Sequence, residues 1–335
     1  MAASVTNPSY SVYIVSGGTK YDVTPALMEI AMSESKRQIS QSANILLANI
    51  KVGETWLTSI FKVRDRVFIY ANDGSKNGEV FRGFVWTRGY KSALTEREFQ
   101  LKCYDHLIYL QESEDYQYFA PGKTTKDIFS TICGNWGVNL EYSYSSITHP
   151  KLALRGKLAD IMTADVLDPV KDRVGTDYVI RSSKDVMQVM TVGQNSDIYQ
   201  IVSGKNAVST YSQCTMDGMK TKVVIFGKAD EDDREPVEAT VSGDTTQYGT
   251  LQKTIHRSEN TTLEDSKEEA NNIIKADGKP KWEYQIKGPD IPWVRKGDKV
   301  YVNAGDIAGK YLIVSEVDRT ISNREKQMTL SCLDV

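Results

Sequence analysis

The sequence predicts a β-rich α+β protein in which two similar antiparallel β-barrel domains flank a small α+β domain. Three observations predict it. Both ends of the chain carry short strand-forming runs punctuated by Gly, Asn and Asp; the middle switches to helical spacing; and one strand pattern occurs twice. At 335 residues the chain exceeds one core of the usual size, so two or three domains are expected. The boundaries read 1–112 for the first β domain, 113–201 for the middle domain, and 202–335 for the second β domain, with a helix inserted near 262–277.

From residue 10 to 110 the chain reads as strands. Ser11 to Ser16 is a β-branched run ended by Gly17 and Gly18. Val67 to Ala71 leads to a polar turn at 72–78, and Phe81 to Thr87 and Glu98 to Tyr104 follow. After about residue 110 the period changes. Thr124-Thr125-Lys126-Asp127 resembles a capping box, with Ile128, Phe129, Ile132, Cys133 and Trp136 behind it at helical spacing and Gly134 and Gly137 as a stop. Leu158, Ile161, Met162 and Val166 start a second helix. Pro169 lacks a donor for the helix ladder, so it kinks that helix or opens a new segment at its own first position; Gly175 ends it. Tyr178 to Arg181 and Val186 to Met190 flank Ser182–Asp185 as a hairpin. From about residue 200 strands return, interrupted by a helix that Thr261 to Asp265 start and that Gly278 and Pro280 stop.

The repeat carries most of the weight. Val63-Arg-Asp-Arg-Val-Phe-Ile69 matches Lys296-Gly-Asp-Lys-Val-Tyr-Val302, aligning Asp65 with Asp298. Phe81 to Arg88 then has its counterpart in Tyr311 to Arg319. Arg97 to Asp105 pairs with Glu325 to Asp334, aligning Cys103 with Cys332. Three strands in one order with the same Cys-x-Asp ending indicate that one β module occurs at both ends of the chain.

At these residues the sequence resembles the central baseplate hub proteins of contractile phage tails and tail-like bacteriocins. These are the late-control-D type hubs, which are related to the N-terminal part of type VI secretion spikes. Tyr104-Asp105-His106-Leu107-Ile108-Tyr109-Leu110, then Phe119-Ala-Pro-Gly-Lys-Thr-Thr-Lys-Asp-Ile128, resemble the family's strand end and helix start. Leu158 to Met162 with Gly175 to Arg181 are similar to its helix and hairpin, and Lys296 to Val302 with Gly309 to Val314 to its second barrel. Order and spacing over nearly the whole chain carry the match. The resemblance implies two tail-tube-like barrels per chain and a homotrimer. It places that trimer between the tail tube protein and the central spike protein, beside the tape measure and other baseplate proteins. It implies a virion or tail-like particle made in a bacterial cytoplasm.

Charge and chemistry narrow the function further. With 41 Lys and Arg against 44 Asp and Glu the net charge is −3, which gives no basic excess for gripping nucleic acid, and no sequence-specific nucleic-acid partner is expected. No basic n-region precedes an apolar run at the N-terminus, and no stretch reaches membrane-helix length, so neither a signal peptide nor a membrane partner is expected. Cys103, Cys133, Cys214 and Cys332 form no CxxC pair and read as reduced thiols.

No catalytic, cofactor-binding or metal-binding residues are expected. Pro121-Gly122-Lys123-Thr124 invites a phosphate-loop reading, but Gln117 stands where that loop needs glycine. His106, His149 and His256 lie in no metalloprotease spacing, no serine stands in a GxSxG elbow, and a Cys103–His106 dyad has no histidine counterpart after Cys332. Glu112, Glu114 and Asp115 read as a solvated linker rather than glycosidase carboxylates. Asp230 to Asp233 reads as an exposed loop rather than a calcium site, and the Asn260 sequon carries no meaning without a signal peptide. The sequence reaches Val335 directly after the second barrel's last strand, so a fused cell-wall hydrolase is not expected. The leading expectation is a structural hub without enzymatic activity. Its alternatives are a cell-wall (peptidoglycan) hydrolase component of the tail tip, or a carbohydrate-binding β module using Trp56, Trp86, Trp136, Trp282 and Trp293.

Overall fold

Strand-forming runs from the two ends of the chain join into one 13-stranded sheet in a computed structural model that describes residues 7–36, 38–92, 97–229, 234–257 and 261–334. Two six-stranded units make up most of it. In the first, the strands run in space as Ser9–Ser16, Arg66–Asn72, Asn77–Ser92, Arg97–Tyr104, Ser42–Ala48 and Leu27–Ser35. In the second the order is Tyr199–Val202, Lys299–Ala304, Ile307–Ser322, Lys326–Asp334, Lys281–Pro289 and Ser209–Thr215. Numbered along the chain within each unit, both read 1-4-5-6-3-2. The sequence pattern misses the strands Leu27–Ser35 and Ser42–Ala48. Glu34, at a buried position of Leu27–Ser35, interrupts the apolar alternation of that strand.

The two units agree in detail. Arg64 N–H donates to Val85 O at 2.7 Å and Val85 N–H to Asp65 O at 2.9 Å; Gly297 N–H donates to Val314 O at 2.7 Å and Val314 N–H to Asp298 O at 2.9 Å. Asp65 Oδ2 accepts from Lys62 N–H at 2.7 Å, and Asp298 Oδ2 from Arg295 N–H at 2.9 Å. Val85 faces Cys103 and Val314 faces Cys332, and in both cases a β-bulge follows immediately. Apart from the pairing of Tyr199–Val202, the 13-stranded sheet is antiparallel throughout. Among the described residues the hydrogen-bonded path stays open and closes into no barrel.

One strand differs. Ser9–Ser16 pairs antiparallel with Arg66–Asn72, whereas Tyr199–Val202 pairs parallel with Lys299–Ala304. The chain reaches the second unit from the middle domain, where Gly193 N–H bonds Gly297 O at 2.7 Å. It therefore enters beside the start of Lys299–Ala304 and runs in the same direction.

The middle of the chain has its own core, built on Leu107, Phe129, Ile132, Leu158, Val166 and Met187 among others. Thr124 caps the helix Thr125–Asn135 in a capping box with Asp127. The second helix starts at Leu158 as expected, but Ile161–Leu167 is wound as π-helix before an α-helix resumes at Asp168–Val174 with Pro169 in its first turn. A proline there needs no donor, and the wider turn absorbs the register change. Gly175, with φ 70°, ends the helix. Tyr178–Ser183 and Val186–Thr191 form the hairpin.

The helix Leu263–Asp277, capped by Thr262 and Asp265, does not stand alone. It covers a three-stranded sheet of Lys222–Phe226, Val237–Ser242 and Gln252–His256, and Val223, Ile225, Ile255, Ala270 and Ile273 form a separate small core. The acidic run 230–233, Asn260 and Val335 lie outside the described residues.

Candidate functional site

The candidate geometry lies where the two β units meet. The strand Leu27–Ser35 of the first unit pairs antiparallel with the distal half of Ile307–Ser322 of the second, with Val317 opposite Glu34 and Arg319 opposite Met32. Sequence patterning gives no sign of this seam. It fuses the two cores at its edge, and Ile321 of the second unit packs in the core of the first.

Charges brace the seam. Glu34 is fully buried; its Oε1 accepts from Arg295 Nε at 2.8 Å and its Oε2 from Lys296 N–H at 3.1 Å. Burial alone would raise this carboxyl, but Arg295 and Lys296 outweigh it and hold it at about 2. Lys296 Nζ donates to the carbonyls of Ser35, Gln38 and Ile39. Burial pulls its ammonium pKa down. Asp105, also buried, accepts from the N–H groups of Gln41 and Leu107 at 2.9 Å each, and burial raises its carboxyl.

Further contacts lock the junction. Asp298 accepts from Arg181 Nη1 of the middle-domain hairpin at 2.8 Å. Arg319 donates to Asp290 at 3.0 Å, and the Tyr10 hydroxyl also donates to Asp290. Trp293 Nε1 reaches Asp73 at 2.6 Å across the units. Ion pairs in this cluster run between the first unit, the second unit and the middle-domain hairpin, and so tie the three together.

The residues weighed for chemistry lie apart from one another. The His106 ring bonds Ser182 Oγ at 3.1 Å, not Asp105 or Cys103. His149 is buried against Thr125 Oγ1 at 2.9 Å, and burial lowers its pKa. His256 sits on Phe226 and meets Glu235 on the surface. Cys103, Cys133 and Cys332 are buried and Cys214 is exposed. Thr124 of the Gly-Lys-Thr run is consumed as the helix cap. Glu112, Glu114 and Asp115 are no linker. Glu112 ends the helix Ile108–Glu112, and the other two open the strand Glu114–Phe119, which pairs with Leu152–Lys157. Of Trp56, Trp86, Trp136, Trp282 and Trp293, Trp86 meets Tyr104 and Tyr109 edge to face, Trp282 stacks on Tyr284, and Trp293 is spent on the seam. Among the described residues no group of three or more His, Cys, Asp or Glu is arranged to hold a metal ion, and no helix is long and apolar enough to cross a membrane.

Comparison with known proteins agrees with this geometry. A sequence profile of the YQBQ-like family matches residues 34–332. Curated protein sequences yield no match. Among solved structures, the 43 kDa tail protein of prophage MuSo2 from Shewanella oneidensis superimposes with a TM-score of 0.69 at 13% identity, over 97% of this chain and 98% of that one. A tail protein from Neisseria meningitidis MC58 gives 0.70 at 13% identity, over 97% of each chain. A type VI secretion component of E. coli, described as structurally similar to the T4 bacteriophage tail proteins gp27 and gp5, gives 0.58 at 7% identity, over 92% of this chain and 74% of that one. At these identities the likeness is one of fold, and it is a likeness to tail proteins over essentially the full length.

Proposed function

The chain belongs to the YQBQ-like family, and from that premise we propose that it is a structural baseplate hub of a contractile tail, without enzymatic activity. The observation that carries the reading is the recurrence of one six-stranded unit, in one strand order, at both ends of a single chain. A contractile tail must join a six-fold tube to a three-fold spike. Three chains with two such units each present six similar surfaces upward and three chain-specific features downward, and closed cyclic symmetry is the ordinary solution for such a ring.

On this reading the two six-stranded units are tube-like modules that meet the tail tube protein. The middle domain 113–201 has no counterpart in the other half, marks the three-fold positions and faces the spike. The braced seam supports it: a hub transmits force during contraction, and a buried cluster of ion pairs fixes one relative orientation of the modules. The open hydrogen-bonded path fits modules whose sheets are completed by neighbouring chains.

The test is the oligomeric state of the full chain by light scattering, alone and with tube and spike proteins, followed by imaging. A three-copy ring with six similar lobes is expected. A stable dimer or tetramer with two-fold axes, unchanged by those partners, would overturn the reading, as would lysis of cell-wall substrate in a zymogram.

A further inference from the structure

The seam inside the chain has an unused counterpart. In the second unit, the distal half of the long strand Ile307–Ser322 has Lys326–Asp334 on one side and Leu27–Ser35 on the other. The equivalent half-strand of the first unit, beginning at Thr87 after the same bulge, pairs with Arg97–Tyr104. Among the described residues no strand lies on its other side. Conversely, the equivalent of Leu27–Ser35 in the second unit is Ser209–Thr215, which pairs with Lys281–Pro289 and ends the sheet path. The two halves of a second seam are therefore present in each chain, at opposite ends, and do not meet.

We propose that copies of this chain join edge to edge, Ser209–Thr215 of one adding antiparallel to the half-strand from Thr87 of the next, in the register of the internal seam. Matched ladder positions fix that register. Met32 faces Ala43, which faces Cys103; Ser212 faces Tyr284, which faces Cys332. Ser212 is thus the counterpart of Met32, and Cys214 of Glu34. The bulge makes Arg88 the counterpart of Val317. Since Val317 faces Glu34 within the chain, Arg88 faces Cys214 between chains, and Gly89 faces Gln213.

Side-chain chemistry agrees. Exposed edge strands are ordinarily blunted by charge or proline, yet Ser209–Thr215 (STYSQCT) contains neither. Aromatic residues stand exposed on both edges: Tyr90 at 53% and Trp86 at 38% on one, Tyr211 at 59% on the other. The cations of the first edge, Arg88 among them, meet a neutral strand, so no like charges face each other. Because the two edges differ, the contact is head-to-tail and generates a ring when its rotation closes.

The inference rests on the hub reading only for the number of chains in the ring. Its test is disulfide trapping in the full-length chain, assembled alone or with tube and spike proteins. Arg88→Cys supplies one thiol and native Cys214 the other, while the remaining three cysteines are buried. Residues directly opposite in a ladder have Cβ atoms within disulfide reach, so about tenfold more inter-chain cross-link than in the unsubstituted chain is expected on oxidation. Gly89→Cys alone points to the other face and gives no increase. Paired with Gln213→Cys in a Cys214→Ser background it cross-links, which covers the case in which losing the Arg88 hydrogen bonds to Phe61 O and Thr58 O disturbs the first variant. Oligomers in which neither pair cross-links overturn the seam and leave the hub reading standing. Trapped species ending at three chains support both, whereas a longer ladder keeps the seam and removes the three-fold ring. A chain that stays monomeric under every condition overturns the seam.

Discussion

The same turn, built from the same hydrogen bonds, meets two different environments in this molecule. Around Asp65 the turn Lys62–Asp65 faces solvent, with Lys62, Val63 and Arg64 exposed. Around Asp298 the turn Arg295–Asp298 is packed under the first β unit and the middle-domain hairpin. Arg64 carries a left-handed φ of 71°, and its exposed side chain lies with the guanidinium over the Tyr109 ring. Its counterpart must be glycine. Gly297 has φ 85°, and a Cβ there would lie 2.6 Å from Val179. What differs is the neighbour, not the local fold. The repeat supplies the turn twice, and tertiary contact converts one copy into a buried brace.

That comparison is most severely tested at Glu34 and its counterpart Cys214. Glu34→Ala leaves Arg295 and Lys296 buried without their carboxylate, and a cost of about 3–5 kcal/mol is expected. Cys214→Ala, at the equivalent exposed position, stays within about 0.5 kcal/mol in the isolated chain. Chemical denaturation of both variants measures the contrast. Equal costs would mean that the seam is not energetically distinct from the free edge.

Acid sharpens the same point. The folded Glu34 carboxyl lies at about 2 against an ordinary 4.5. Its contribution is therefore fully present above pH 4.5 and is lost as pH falls from 4.5 through 2. Glu34→Gln flattens that part of the profile. Urea midpoints from pH 7 to 2 read it directly, and an unchanged acid slope would contradict the burial of this carboxylate between two cations.

Of intermediate size is the pair Asp65 and Asp298. Both accept the N–H three residues earlier, but Asp298 also holds Arg181 at 2.8 Å in a largely buried ion pair. Asp298→Ala is expected to cost about 3 kcal/mol and Asp65→Ala about 1 kcal/mol. Thermal unfolding of the two variants side by side tests the ordering. The smallest expected difference lies between Cys103 and Cys332, which are fully buried at equivalent ladder positions. Cys→Ala at either costs about 1–2 kcal/mol, with the two values within about 0.5 kcal/mol of each other. Burial pushes the Cys332 thiol up to about 12 and raises Cys103 as well. A thiol reagent is therefore expected to label Cys214 in the folded protein and all four cysteines only after denaturation.

Several features were legible in the sequence because their causes are local. Thr124 with Asp127 and Thr262 with Asp265 announce helix starts, since a cap needs only four adjacent residues. Gly175 and Pro169 punctuate backbone geometry wherever they stand. The repeat was readable through Asp65 with Asp298 and Cys103 with Cys332, because a turn cap and a core cysteine each demand a particular residue type. Other features depend on what comes to lie opposite. Leu27–Ser35 reads poorly as a strand because Glu34 sits where an apolar residue is expected; only its position against Arg295 and Lys296 makes a carboxylate the better choice there. Neither Ile161–Leu167 as π-helix nor the parallel entry of Tyr199–Val202 has a local sequence signal, because packing and the direction of chain approach set them. The same holds for the free edges at Thr87 and Ser209–Thr215. The sequence alone determined one module, written twice, and the helices between the copies. Tertiary structure alone decided which copy's edge is filled within the chain, because strand pairing across units is specified by distant backbone groups that carry no residue identity.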